Sequence, residues 1–228
     1  GYSKGKFYVN LFVGSNTSIQ LPNEEIQFSM TTNYPWEGNI KCSLQMNKKH
    51  TLPLAFRIPG WANGIPAPGN LYYFENTSTI AKPIMKINGK EVNYSIEEGY
   101  AVITQEWRNN DVVEFQIPMT IQKIKARKEL MQDNGRVALQ RGPIVYCVEG
   151  ADNNGKAWNI IAPSQSNFTT EDFSVLDEKV VSLVAPLPVV QVSEDGLSVT
   201  TVTQKVRAIP YYTWCNRGSN AMQVWLPT

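Results

Sequence analysis

Apolar side chains recur at every second position along most of this chain. Ile26, Phe28 and Met30 share one parity, as do Ile40, Cys42, Leu44 and Met46, and then Leu52, Leu54, Phe56 and Ile58. Successive residues of a strand point to opposite faces, so each set lays its apolar groups on one side of a half-buried β-strand. Three segments, 7–13, 100–103 and 144–148, are more continuously apolar; that pattern predicts strands covered on both faces. No stretch carries the repeat of an amphipathic helix of three turns. Residues 125–132 form the one segment compatible with a helical turn or two.

Turn chemistry divides these strands. Asn88-Gly89, between Ile87 and Lys90, predicts a type I′ hairpin, which needs positive φ at both central positions. Pro22-Asn23, Pro35, Pro59-Gly60 and Asp195-Gly196 interrupt the pattern elsewhere. Short strands at this spacing predict an all-β protein. One sandwich occupies ~100 residues, so 228 residues predict two antiparallel β-sandwich domains of jelly-roll-like form. The expected boundary follows the strand 111–118, where a basic, less apolar stretch begins, giving domains 1–120 and 121–228. Residues 62–70, with Gly64, Pro66, Pro68 and Gly69, read as an irregular surface excursion.

Composition narrows the function classes. Hydrophobic residues make up 42%, enough for a real core, whereas charged residues are only 18%, low for a globular domain. Asn, Thr, Ser and Gln fill the difference, a surface suited to a secreted or carbohydrate-associated protein. With 21 cationic and 20 anionic side chains there is no electrostatic footprint for nucleic acid or an anionic membrane. The absence of any run of ~18 apolar residues predicts no membrane span. Cys42, Cys147 and Cys215 are dispersed and form no CxxC, which predicts three buried thiols rather than a disulfide framework or metal site.

Candidate chemistry is sparse. The single histidine, His50, ends the polar run 47–50 and reads as solvated; alone it supports no histidine-rich metal site. Glycoside hydrolysis needs two carboxyl groups converging on one bond. The adjacent pairs Glu24-Glu25, Glu97-Glu98, Glu171-Asp172, Asp177-Glu178 and Glu194-Asp195 face opposite ways on a strand and read as solvated turn charges. Lys123, Lys125, Arg127 and Lys128 read as a solvated edge. Among the aromatics, Trp107 and Trp225 fall inside strand patterns and predict core packing. Trp61, Tyr72 and Tyr73 flank the Pro/Gly excursion and are the candidate exposed rings.

Several segments resemble one family. They are LAFRIPGWA at 54–62, the strand 100–107 with DVV at 111–113 and IPM at 117–119, RVALQRGPIVYCVE at 136–149, and AIPYYTWCNRG at 208–218 followed by Val224-Trp225. Their order and spacing resemble the C-terminal half of glycoside hydrolase family 127, the β-L-arabinofuranosidases, and FYVNLF at 7–12 is similar to the strand that follows the family's barrel. The resemblance implies an (α/α)6 catalytic barrel followed by two β-sandwich domains, with a zinc-bound cysteine nucleophile and glutamates in the barrel. None of the three cysteines here matches the adjacent-cysteine zinc motif, so no catalytic, cofactor-binding or metal residue is expected in this chain and zinc is expected only in the barrel. The expectation is a non-catalytic accessory region, inactive alone, whose partner is the N-terminal barrel; the alternative is a carbohydrate-binding module with an aromatic platform. Further expectations are a secreted or periplasmic location, an apolar face able to support a homodimer, and a loop 60–70 that carries Trp61 toward the barrel or the rim of its sugar pocket.

Overall fold

A computed structural model describes residues 1–21, 24–78 and 80–228; the turn expected at Pro22-Asn23 lies outside the described residues. The chain forms two compact units, one of residues 1–63 with 80–119 and one of residues 64–79 with 120–228. The expected partition is 1–120 and 121–228; in the structure residues 64–79, which take in most of the excursion at 62–70, group with the second unit.

The first unit is a sandwich. Its strands are β1 (Tyr2–Ser3), β2 (Lys6–Val9), β3 (Ser15–Leu21), β4 (Glu24–Thr32), β5 (Asn39–Gln45) and β6 (His50–Arg57). After β7 (Tyr72–Phe74), which belongs to the other unit, come β8 (Ile84–Ile87), β9 (Lys90–Val92), β10 (Ser95–Glu97), β11 (Tyr100–Trp107) and β12 (Val112–Gln116). One sheet runs β1-β2-β6-β11-β10 and the other β3-β4-β5-β12-β8-β9. All pairs are antiparallel except β2 with β6, where Phe7 faces Leu54. The alternating residues read from the sequence are the buried ones, and Phe28, Leu44, Leu54 and Phe56 are almost fully enclosed. Rings from the two sheets meet: Phe7 lies 4.8 Å from Phe28 and Phe56 lies 5.3 Å from Phe115. Trp107 is completely buried and donates its Nε1–H to the Leu52 carbonyl at 2.6 Å. Asn88 and Gly89 have φ of 51° and 79° in the β8–β9 hairpin, as the I′ turn requires.

The second unit is built on one long sheet. Its strands are β7, β13 (Ile121–Ala126), β14 (Arg136–Arg141), β15 (Ile144–Glu149), β16 (Thr169–Val175), β17 (Glu178–Val192), β18 (Val199–Pro210), β19 (Met222–Gln223) and β20 (Leu226–Pro227). They run β16-β17-β18-β15-β14-β13-β7, with β19 added to β15 and β20 to β14. β14 and β15 change partners along their length: Leu139–Arg141 pair with β15 and Arg136–Val137 with β20. Four consecutive residues are buried in each, 137–140 and 146–149, so both faces of these central strands are covered there.

Two local expectations are corrected. The apolar run 7–13 is not one enclosed strand. β2 ends at Val9, after which Asn10 accepts a hydrogen bond from the Tyr100 hydroxyl at 2.9 Å, and buried Phe12 sits between exposed Leu11 and Val13. The segment 125–132 is not helical at its start. Ile124 and Ala126 keep the two-residue period and are buried, so β13 continues through Ala126 and only Met131–Asp133 make a single 3-10 turn.

Candidate functional site

The three candidate rings occupy different settings. Trp61 stands in the 3-10 turn Gly60–Asn63 of the first unit, half-buried against that sandwich's own core. Tyr72 and Tyr73 lie on β7 of the second unit, paired with Ala126 and Lys125. Being adjacent on a strand, they point to opposite faces. Tyr72 stacks on Trp225 with ring centres 5.6 Å apart, and Tyr73 is exposed. The two tyrosines therefore do not share one platform. β7 is held by a bond from Arg127 N to the Leu71 carbonyl at 2.9 Å, one from Glu75 N to the Lys123 carbonyl at 2.8 Å, and a Glu75–Lys125 ion pair at 2.6 Å.

The strongest polar constellation joins the ends of two segments singled out in the sequence. Glu149 closes β15 and is fully buried; Arg217 follows the exposed Cys215 turn, whose backbone takes φ of 68°. Arg217 clamps Asp152 through both terminal nitrogens, at 2.7 and 2.5 Å, and Nη2 also reaches Glu149. Asn220 Nδ2 donates to Glu149 at 2.8 Å and Cys215 N donates at 3.3 Å. Burial pushes the Glu149 carboxyl up, but Asn220, the Arg217 guanidinium and the Cys215 N–H outweigh it and hold the pKa below the ordinary value. The same anions drive the Arg217 pKa upward against burial. One guanidinium serves both carboxylates, and the Asn220 amide and Cys215 N–H supply the remaining bonds to Glu149, so the node acts as a staple fastening residues 215–220 to β15. Sequence reading missed it, although a glutamate ending the apolar run IVYCVE is the visible signal of a buried carboxylate needing a cation.

The other titratable groups are also committed to structure. His50 is not a free surface group: it bonds the nearly buried Glu24 carboxylate, which also accepts the Asn47 and Lys48 N–H groups at 2.5 and 2.9 Å. Burial raises the Glu24 pKa, and the Lys48 N–H, His50 and the Asn47 N–H more than reverse it. Glu171 is bound by Arg207 at 2.8 Å and Lys205 at 2.5 Å, which bring its pKa to about 2. Cys42 and Cys147 are buried and their thiols are pushed up to about 12, chiefly by burial, far from the thiolate form a nucleophile requires. Cys215 departs from the expectation of three buried thiols because its turn lies at the surface. Among the described residues, no three His, Cys, Asp or Glu side chains are grouped so as to hold a metal ion. The second unit has a polar open groove of about 410 Å³ lined by Glu75, Gln122, Lys123, Gln165, Asn167 and Phe168, among others.

These units define a class. Residues 6–119 match the sequence model of the β-L-arabinofuranosidase GH127 middle domain, and residues 121–227 match that of the glycoside hydrolase family 127 C-terminal domain. The chain belongs to glycoside hydrolase family 127. It is similar to a non-reducing end β-L-arabinofuranosidase of Bifidobacterium longum subsp. longum, with 25% identity over 212 residues, covering 85% of this chain and 29% of the relative. Among solved structures, it superimposes on a GH127 β-arabinofuranosidase with a TM-score of 0.87 and 32% identity, covering 96% of this chain and 34% of the other. A GH127 β-L-arabinofuranosidase from Geobacillus stearothermophilus T6 gives a TM-score of 0.84 and 32% identity, covering 99% and 34%. The chain thus spans about a third of the length of these relatives.

Proposed function

We propose that this chain is a non-catalytic accessory region of a glycoside hydrolase resembling the β-L-arabinofuranosidases, supporting an (α/α)6 catalytic barrel supplied elsewhere in a longer protein. The observation that carries this reading is the correspondence of its two halves to the family's middle and C-terminal domains, over a third of the relatives' length. The site chemistry agrees with it. The buried carboxylates are engaged by Arg217, His50 and N–H donors of the fold, and the two enclosed thiols are held protonated. Leu11 and Val13, exposed on either side of buried Phe12, offer apolar contacts to such a barrel. Trp61 and Tyr73 are the aromatic positions we assign to barrel contact, and Tyr72 holds β7 in place through Trp225. The polar groove beside Gln122 and Phe168 supports a second reading, a glycan contact made by amides and one ring face. The family relation also favours a secreted or periplasmic location. The test is turnover: the isolated chain is expected to release no phenol from an aryl β-L-arabinofuranoside and to retain no stoichiometric zinc after dialysis. Turnover together with bound zinc would overturn the accessory reading.

A further inference from the structure

The side chains of the groove beside β13 divide into those committed to the fold and those left over. Gln122 lines it although only 6% exposed, and in the β13–β14 register it lies across from Gln140, 4% exposed. Gln122 Nε2 donates to Thr120 Oγ1 at 3.0 Å and Gln140 Nε2 to the Gly142 carbonyl at 2.8 Å, while Gln140 Oε1 is enclosed and meets no donor among the described residues. The two charged groups of the lining are already engaged. Glu75 pairs with Lys125 at 2.6 Å, and Lys123 Nζ donates to the Pro163 carbonyl at 3.3 Å and the Ser164 carbonyl at 2.5 Å. Those lysine bonds fix the turn 163–166, which Ser166 N closes on the Pro163 carbonyl at 2.9 Å and Ala162 N fastens to the Pro227 carbonyl at 2.7 Å.

That fixed turn leads into the uncommitted groups. Gln165 and Asn167 are exposed, and their side-chain amides meet no protein partner among the described residues. Phe168 follows, half-buried, and with Ile121 supplies the apolar part of the lining. An amide both donates and accepts, as a sugar hydroxyl does. Two amides close together on a held backbone can therefore meet neighbouring hydroxyls, with a ring beside them to cover the C–H face of the sugar. Because the backbone is already ordered, binding immobilises only those side chains. With Glu75 and Lys123 engaged, no free charge in the lining would compensate the desolvation of a charged ligand. The volume of about 410 Å³ is near the lower end for ligand sites, room for a short oligosaccharide.

We propose that this groove binds a short neutral oligosaccharide, with Gln165 and Asn167 reading adjacent hydroxyls and Phe168 packing on the sugar ring; this rests on the glycan reading of the groove given above and names its ligand class and contacts. The test is titration of the 15N-labelled 228-residue chain with short neutral arabino-oligosaccharides, followed by backbone and side-chain amide NMR signals. Saturable shifts are expected at residues 164–168 and at Gln122, and oligogalacturonates, which carry carboxylates, are expected to bind no more tightly. Gln165→Ala with Asn167→Ala, and Gln165→Glu with Asn167→Asp, which keeps the shapes and removes the N–H donors, should each weaken binding by about tenfold. Circular dichroism of both variants should match the wild type, since neither side chain bonds the fold. Absence of saturable shifts at the groove overturns the proposal together with the glycan reading. Shifts there that both variants leave unchanged, or tighter binding of the oligogalacturonates, overturn the proposal while a glycan contact stands. The accessory role is scored separately, by turnover of the aryl β-L-arabinofuranoside in the same samples.

Discussion

Replacing Arg217 by alanine leaves two enclosed carboxylates without their cation. Glu149 is 0% and Asp152 7% exposed at the side chain, and Arg217 itself only 18%. Breaking a buried pair by removing one partner costs about 3–5 kcal/mol, because the surviving charge stays desolvated. The partial exposure of Arg217 and the remaining bonds from Asn220 and Cys215 favour the low end, about 3 kcal/mol. In a unit of this size that lowers Tm by roughly 10 °C. The pH dependence has a definite sign. In the wild type the folded pKa of Glu149 lies below its reference value of 4.5, so its contribution is present above that value and is lost as pH falls through the folded pKa. Without Arg217, burial acts on Glu149 with less opposition and its pKa rises; its penalty is greatest near neutrality and is relieved on acidification. The stability gap between wild type and Arg217→Ala should therefore narrow between pH 7 and pH values near 4. Adding Glu149→Gln to the alanine variant should recover part of the loss at pH 7. Calorimetry and urea titration across that range are the assays. A cost below about 1 kcal/mol that does not change with pH would show the node to be solvated and refute the reasoning.

Gly38→Ala should destabilise the first unit by more than about 3 kcal/mol, since a Cβ there would stand 1.7 Å from the Ile117 carbonyl oxygen, and that backbone is held by Ile117 N donating to Gly38 O at 2.8 Å; urea unfolding of the purified variant is the check. Trp107→Phe removes the buried bond to Leu52 and part of a packed ring, and should cost about 2 kcal/mol or more, read as a lower unfolding midpoint with an unchanged m-value.

Much of the fold is legible because period-two burial is a local property. The parity sets at 26–30, 40–46 and 52–58 each become a strand with those residues inside, and Asn88-Gly89 alone fixes a hairpin. What escapes the sequence is non-local. Nothing within Leu71–Glu75 announces that β7 will pair with β13, some fifty residues on, because the pairing rests on Phe74 burial and the Tyr72–Trp225 stack. The run 7–13 looks enclosed because composition does not reveal where a strand leaves its sheet. His50 looks solvated from its polar neighbours, yet its partner Glu24 comes from β4. The Glu149–Arg217 node is hidden for the same reason: its members are distant in sequence and meet only when residues 215–220 return to β15. Proximity to a Pro/Gly loop is the sequence cue for the candidate rings, and it cannot distinguish Trp61 resting on its own core from Tyr73 standing exposed.

The accessory role proposed above is tested most directly in a protein that joins an (α/α)6 barrel to this region. Two forms are compared by calorimetry and by kcat/KM on an aryl β-L-arabinofuranoside: the barrel joined to this region and the barrel with the region removed. The account predicts that removal lowers the barrel's Tm or its soluble yield, while the region added back separately contributes no turnover of its own. A barrel equally stable and equally active without these residues would contradict it.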